Sequence, residues 1–160
     1  MGGGTTDRFP IGDLTTLGER ARQEIREADK PGRRNVFISF DHEDEREVNL
    51  LRGQAKNEDS QLEFNDWSVK EPYDSENAEY IRRNIRERIR QSSATVVYLS
   101  DKTASSRWVD WEIRESIALG KKVVCVYQGQ RPTSVPRAVT ELGLRCVPWQ
   151  HDLLMQDLEA

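Results

Sequence analysis

The sequence predicts a three-layer α/β domain built on a five-stranded parallel sheet. Short apolar segments alternate five times with segments of helical periodicity, which indicates repeated strand–helix–strand crossovers. The apolar segments are nearly continuous in hydrophobic residues, as is typical of parallel strands that are covered on both faces. A chain of 160 residues is long enough for one domain with a real core.

The predicted strands are short runs rich in β-branched and aromatic residues. They are NVFISF (35–40), LEFNDW (62–67), ATVVYLS (94–100), KVVCVY (122–127) and LRCVPW (144–149). The third run is the clearest strand and the second is the weakest.

Ahead of the first strand, a helix is predicted over 13–29, where Asp13 serves as its N-cap and apolar residues recur at helical spacing. The segment KPGRR (30–34) ends that helix. We therefore expect residues 1–33 to form a flexible tail with an accessory helix, and residues 34–160 to form the α/β domain.

The helices between the strands carry clear start or stop signals. A helix follows the first strand and continues to about Lys56, and the next one, over 77–92, carries a narrow apolar stripe. The helix over 105–120 ends at Gly120, a residue suited to a left-handed cap. A short helix over 134–143 has Pro136 in its first turn and Gly143 at its end, and 152–159 forms a closing helix.

Composition excludes several classes of function. The formal charge of −4 and the isoelectric point near 5.3 argue against nucleic acid as a partner. No apolar stretch reaches the roughly 20 residues of a membrane span, and the N-terminus does not resemble a secretory signal. The two cysteines, Cys125 and Cys146, lack zinc-site spacing and are expected to be reduced, buried thiols of a cytoplasmic protein.

In an open parallel sheet, ligands bind beyond the carboxyl ends of the strands. The residues that follow those ends are therefore candidates for substrate binding. They are Phe40, Asp41, His42, Asn65, Asp66, Trp67, Ser100, Asp101, Tyr127 and Gln128.

The loop after the first strand, FDHEDER, contains no glycine, which argues against a dinucleotide fingerprint or a P-loop. A receiver domain is disfavoured because the third strand ends in Leu99-Ser100 and the fifth lacks a lysine. We expect Glu43, Asp44 and Glu45 to serve as helix N-terminal acids. The two histidines, His42 and His151, share no ligand spacing, so no metal site is expected.

An arginine-rich segment, IRRNIRERIR, lies in the helix over 77–92. A nucleic-acid stripe is conceivable, but Glu79 and Glu87 stand three and four residues from arginines, and no aromatic residue interrupts the run. A solvated helix face is the favoured interpretation.

The segment SSRWVDWEIRESIALG (105–120) places a carboxylate where apolar groups are expected. At about 100° per residue, Glu112 falls inside the apolar arc formed by Trp108, Val109, Ile113, Ile117 and Leu119, and Trp111 falls just outside it. A carboxylate on the face that meets the sheet requires either a partner or a function. Periodicity alone leaves both interpretations open.

The sequence resembles the TIR-type domains in three segments, which occur in order along the chain: RNVFISFDHED, TVVYLSDKTASSRWVDWEI and GKKVVCVY. It is most similar to the bacterial TIR-like family that includes the signalling subunit of Thoeris antiphage systems. The resemblance spans roughly 34–127. It implies a flavodoxin-like fold that cleaves NAD+ at the nicotinamide–ribose bond, with NAD+ as substrate and no cofactor. The position that matches the family's catalytic glutamate is Glu112.

The resemblance also implies that Phe40 and Asp41, and more loosely Asp66 and Trp67, contribute to the substrate pocket. Because aromatic rings can stack on the nicotinamide or adenine, Phe40, Trp67 and Trp111 are expected to serve as its aromatic walls. It implies self-association of the domain and a separate effector that senses a linear or cyclic ADP-ribose product. Two alternatives remain open: a non-catalytic TIR-like scaffold that signals by self-association, and an enzyme related to the nucleoside deoxyribosyltransferases.

Overall fold

The computed structural model describes residues 34–57, 62–65 and 72–159. Within these ranges the strands are β1 (Arg34–Ser39), β2 (Leu62–Asn65), β3 (Ala94–Leu99), β4 (Lys122–Tyr127) and β5 (Cys146–Pro148). The helices are α1 (Glu45–Asn57), α2 (Ala78–Gln91), α3 (Arg107–Ala118), α4 (Arg137–Glu141) and α5 (His151–Glu159). The predicted tail, the helix over 13–29, and the candidates Asp66 and Trp67 lie outside the described residues.

The five strands form one parallel sheet in the order β2-β1-β3-β4-β5. In register, Ile38 of β1 lies opposite Val96 of β3, and Val96 lies opposite Val124 of β4. The predicted α/β class and the flavodoxin-like fold are confirmed. The strand order reverses between β1 and β3, which is the position where ligands bind in open α/β sheets.

One face of the sheet is covered by α1 and α5. Alternate residues of β1, β3 and β4 point to this face and pack against Val48 and Leu51 of α1 and against Leu154 and Leu158 of α5. Phe40 belongs to this cluster and is 8% exposed.

The opposite face is covered by α2, α3 and α4. The predicted stripe on α2 is buried in full and packs against Phe37 of β1 and Trp108 of α3; its residues are Ala78, Ile81, Ile85 and Ile89. Beside it, Val97 and Cys125 of the sheet pack against Val109 and Ile113 of α3. Helix α3 therefore contributes to both clusters and lies across the middle of the sheet.

The predicted helix ends are confirmed at Gly120 and Gly143, whose φ angles are 76° and 60°. Such positive φ angles favour glycine because a Cβ atom is strained there. Pro136 is the residue just before α4 rather than part of its first turn, and it takes an extended conformation. No helix in the described part of the chain is long and apolar enough to cross a membrane.

Candidate active site

The candidate site lies where α3 packs against the carboxyl ends of β1 and β3. Helix α3 begins after Ser106, whose side chain accepts a 3.3 Å hydrogen bond from the backbone N–H of Val109. Such an N-cap satisfies an otherwise unpaired amide of the first turn and sets where the helix starts.

The face of α3 that meets the sheet is a stripe of five buried residues: Trp108, Val109, Glu112, Ile113 and Ser116. Glu112 is among them, as predicted, and is only 3% exposed. Ile117, which the sequence placed in the apolar arc, is 39% exposed. At about 100° per residue, the buried stripe spans roughly 140° and Ile117 lies about 40° beyond its edge.

Glu112 accepts a hydrogen bond from the sheet. The hydroxyl of Ser39 donates to Oε1 of Glu112 over 2.6 Å, and Ser39 itself is 1% exposed. Hydrogen bonds to an ionised acceptor are stronger than neutral ones, and they offset part of the cost of burying a carboxylate. The carboxyl group is thus held at one position at the end of β1.

A polar seam, formed by the hydroxyl groups of Ser116 and Thr95 and the backbone carbonyl of Glu112, continues from this contact toward the amino end of the sheet. Ser116 donates from its hydroxyl to the backbone carbonyl of Glu112 over 2.7 Å, and its oxygen lies 2.8 Å from the hydroxyl of Thr95 on β3. All these groups are buried. The seam sets the distance between α3 and the sheet on the turn that carries Glu112.

The sequence analysis did not single out Ser39, Thr95 or Ser116. Strand alternation could have indicated Ser39, because it lies on the same face of β1 as Phe37, and Phe37 packs against Trp108 of α3. A hydroxyl on that face at the end of β1 points toward the helix that carries Glu112.

A second buried carboxylate joins the loops that follow β1 and β3. Asp44 is 3% exposed and accepts a 2.5 Å hydrogen bond from the hydroxyl of Ser100, and its Oδ1 lies 3.8 Å from Nζ of Lys102. Burial raises the pKa of Asp44, although Ser100 and Lys102 act in the opposite direction. The backbone N–H of Ser100 also donates to Thr103 over 2.7 Å.

Asp44 therefore does more than serve as a helix N-terminal acid, which is the role that the sequence predicted. It lies in a short 3-10 helix (His42–Asp44) capped by Asp41, whose Oδ1 accepts from the N–H of Glu43 over 2.9 Å. Its side chain, however, points inward and ties this loop to Ser100. Sequence periodicity could not show this, because the partner lies 56 residues away.

A groove lies on the outer side of the first turns of α3. Its volume is about 310 Å³, and its lining residues are Tyr73, Ala104, Ser105, Ser106, Arg107, Asp110, Trp111, Arg114 and Arg137. Glu112 is not among them. The charges in the groove are paired with one another or with neighbours: Arg107 lies 2.6 Å from Asp74, and Arg114 bridges Asp110 and Glu141.

Three arginines of α2 also take part in ion pairs within the domain. Arg82 lies 3.4 Å from Glu79 and Arg90 lies 2.7 Å from Glu87, at the spacing that the sequence indicated. Arg86 reaches across to Glu115 of α3 over 2.7 Å. In the ranges that the structure describes, no group of three or more potential metal ligands comes together.

Comparison with known proteins places the chain in a family. A model of the family described as Thoeris protein ThsB, TIR-like domain, matches residues 37–133, which is more than half of the chain. The chain belongs to the ThsB TIR-like domain family. A comparison with curated proteins found no match.

Chains of solved structures also match this TIR-like chain, and 23 such chains were found. One of these chains comes from the structure of the activated Roq1 resistosome directly recognizing the pathogen effector XopQ (TIR domains). Its sequence is 24% identical to this chain, and the TM-score of the two structures is 0.42. The alignment covers 59% of this chain and 57% of that chain, so the two share little more than half of their lengths.

The range matched by the ThsB TIR-like family model contains every candidate site residue. In the structure, however, not all of these residues lie next to Glu112. Phe40 packs on the α1 and α5 face of the sheet, whereas Glu112 lies on the other face. Asp41 caps the 3-10 helix, and the hydroxyl of Ser100 is engaged by Asp44. The aromatic-wall role expected of Phe40 therefore stays a prediction without geometric support.

The two tryptophans of the TIR-like helix α3 differ in environment. Trp108 is 8% exposed and packs edge-on against Tyr73, with ring centres 5.0 Å apart. Trp111 is half-buried, lines the groove, and has the guanidinium of Arg86 5.7 Å from its ring centre. Trp111 therefore borders an open surface, while Trp108 is a core residue.

Proposed function

We propose that this TIR-like domain cleaves NAD+ at the nicotinamide–ribose bond and that Glu112 is its catalytic residue. The observation that carries the proposal is the buried carboxylate of Glu112, held by Ser39 at the carboxyl end of β1 beside the strand-order reversal. Membership of the ThsB TIR-like family supports it.

The chemistry needs few groups. Nicotinamide is a positively charged pyridinium while it is bonded to ribose, so it departs as a neutral molecule with the electron pair of the broken bond and needs no general acid. Ordinary glycosides, in contrast, require two carboxylates. The remaining task is to stabilise a cationic, oxocarbenium-like transition state.

A preorganised carboxylate performs that task well when water is excluded. Glu112 meets this requirement because its position is set by Ser39 through its side chain and by Ser116 through its backbone. Its negative charge is therefore in place before positive charge develops on the ribose. Water then adds to the ribose carbon and releases a proton to give ADP-ribose, or an internal nucleophile closes a cyclic isomer.

Resemblance to the Thoeris signalling subunit favours the cyclic product. In this proposal the product is a cytoplasmic signal in antiphage defence, read by a separate effector, and the domain self-associates when it is active. A pure scaffold that signals only by self-association is the competing function, and the test below separates the two.

The test is incubation of the full chain with NAD+, over a range of protein concentrations and with a crowding agent, followed by mass spectrometry of the products. We expect free nicotinamide together with either ADP-ribose or a cyclic ADP-ribose, whose mass is lower than that of ADP-ribose by one water. The Glu112→Gln variant is expected to lose the activity, because the neutral amide keeps the shape of the side chain and removes its charge.

The matched control is Glu115→Gln, which removes a carboxylate one turn away that pairs with Arg86 rather than with the sheet. It is expected to keep the activity. Equal turnover by Glu112→Gln and wild type would refute the assignment of Glu112. A wild-type protein that self-associates as its concentration rises, yet never releases nicotinamide, would support the scaffold function. Turnover of deoxynucleosides without turnover of NAD+ would indicate an enzyme related to the nucleoside deoxyribosyltransferases.

A further inference from the structure

Cys125 and Cys146 form a registered pair on neighbouring strands. They are Cα partners in the ladder between β4 and β5, so their side chains point to the same face of the sheet. Cys125 is fully buried in the cluster beneath α3 and α4, and Cys146 packs against the same cluster while staying partly exposed. Both are free thiols. The sequence analysis expected both to be buried, and Cys146 departs from that expectation.

The spacing of this pair suits a covalent bridge. Adjacent strands lie about 4.8 Å apart, and the Cα atoms of a disulfide are usually about 4.4–6.8 Å apart. Because Cys125 and Cys146 are directly opposite, their backbone already falls in this range without a shift of either strand. The Cys146 thiol lies within 3.8 Å of the backbone carbonyl of Leu144, to which it donates.

The two thiols differ in reactivity. The neighbouring Cys125 thiol lowers the pKa of Cys146, burial opposes this shift, and the positive charge of Arg131 adds a smaller lowering. The neighbouring Cys146, together with burial, raises the pKa of Cys125. Cys146, the less buried residue of the pair, is therefore the one expected to form a thiolate, and thiolates rather than thiols are the nucleophiles.

We propose that Cys125 and Cys146 form a peroxide-reactive dithiol site that closes to an intramolecular disulfide between β4 and β5. The substrate class is a small hydroperoxide that reaches the exposed side of Cys146. This site is separate from the candidate active site and does not depend on NAD+ cleavage.

The reaction proceeds in two balanced steps. The Cys146 thiolate attacks one peroxide oxygen, the O–O bond breaks, and the leaving oxygen takes up a proton, which leaves Cys146 as a sulfenic acid. The Cys125 sulfur then attacks the Cys146 sulfur, the S–O bond breaks, and the thiol proton departs with the hydroxide as water. The two sulfurs together lose the two electrons that reduce the peroxide.

The proposed disulfide would attach the edge strand β5 covalently to β4. β5 has three residues and, among the described strands, lies at the end of the sheet beside β4. A covalent link across this pair limits the unfolded chain and holds the edge strand in place. We therefore expect the oxidised protein to unfold at a higher temperature than the reduced protein.

The test treats the reduced full chain with hydrogen peroxide and measures its intact mass and a non-reducing peptide map. We expect the loss of two hydrogen atoms, a cross-linked peptide pair containing both cysteines, and full reversal by dithiothreitol. With Cys125→Ser, dimedone is expected to trap a sulfenic acid at Cys146. With Cys146→Ser, no oxidation is expected under the same conditions.

A measurement on the wild type alone keeps the test independent of how the variants fold. Phenylarsine oxide bridges close dithiols, so one equivalent is expected to protect both cysteines from alkylation. Overoxidation of Cys146 without a cross-link, disulfides only between chains, or failure of the arsenical to protect both thiols would overturn the proposal.

Discussion

Ser39 and Glu112 are 73 positions apart in the sequence, yet the hydroxyl of one donates a 2.6 Å hydrogen bond to the carboxylate of the other. Both side chains are almost fully buried. This contact joins the end of β1 to the middle of α3 and links the sheet to the candidate catalytic group.

The Ser39→Ala variant tests that link. Hydrogen bonds to charged groups are worth about 1.5–3 kcal/mol, so nicotinamide release is expected to fall about tenfold to a hundredfold if the bond positions the carboxylate during catalysis. The free energy of unfolding is expected to fall as well, by about 1–3 kcal/mol, because the Glu112 carboxylate loses a buried donor. Steady-state assays and urea denaturation measure the two effects.

Ser93→Ala is a matched control for Ser39→Ala, since the Ser93 hydroxyl is exposed and donates to the backbone of Asn35 over 3.2 Å. It is expected to leave activity and stability close to those of the wild type. Full activity in Ser39→Ala would show that the hydrogen bond does not position the catalytic group.

Asp44 is expected to make stability depend on pH in the sense opposite to an ordinary salt-bridged aspartate. Its pKa is raised by burial above the ordinary value of 3.8, so between 3.8 and the raised value the folded state binds more protons than the unfolded state. Stability from this group is therefore gained as pH falls through the raised pKa, and lost as pH rises through it.

The Asp44→Asn variant removes this titration and retains an oxygen that accepts from Ser100. Its urea midpoint is expected to lack the Asp44 contribution to the pH dependence, which lies above the ordinary pKa of 3.8. Asp101→Asn, which alters an exposed carboxylate in the same loop, serves as the control and should follow the wild type. Identical pH profiles for Asp44→Asn and wild type would contradict the role assigned to Asp44.

The tryptophans of α3 are expected to respond very differently to truncation. Trp108→Ala removes a ring buried among Phe37, Tyr73 and the α2 stripe, so a loss of about 3–5 kcal/mol in the free energy of unfolding is expected. Trp111→Ala should cost less, because its ring is half-buried at the groove. Chemical denaturation of both variants measures the difference, and equal losses would contradict the distinction between core and groove.

Much of the fold could be predicted from sequence because it depends on local patterns. The near-continuous apolar runs identified all five strands, and the period of 3.6 residues placed the buried stripe of α2. Gly120 and Gly143 marked helix ends because positive φ angles select glycine. The burial of Glu112 was also predictable, since helical geometry fixes which residues share a face.

The site was less predictable, because its contacts join distant residues. Periodicity indicated that Glu112 faces inward but not that Ser39 contacts it. It predicted Asp44 as a helix N-terminal acid, but could not show that Ser100, which follows β3, donates to its carboxylate. Phe40 follows β1 in sequence, yet strand alternation turns it to the face opposite Glu112.

By itself, the sequence determined the α/β class, the order of elements and the inward-facing carboxylate, because each follows from the regular repeat of strand or helix. Only the tertiary structure decided which side chains surround that carboxylate and which pair of thiols comes together, as with Cys125 opposite Cys146. The physical reason is that these contacts depend on the register and order of the strands, which arise when the sheet assembles.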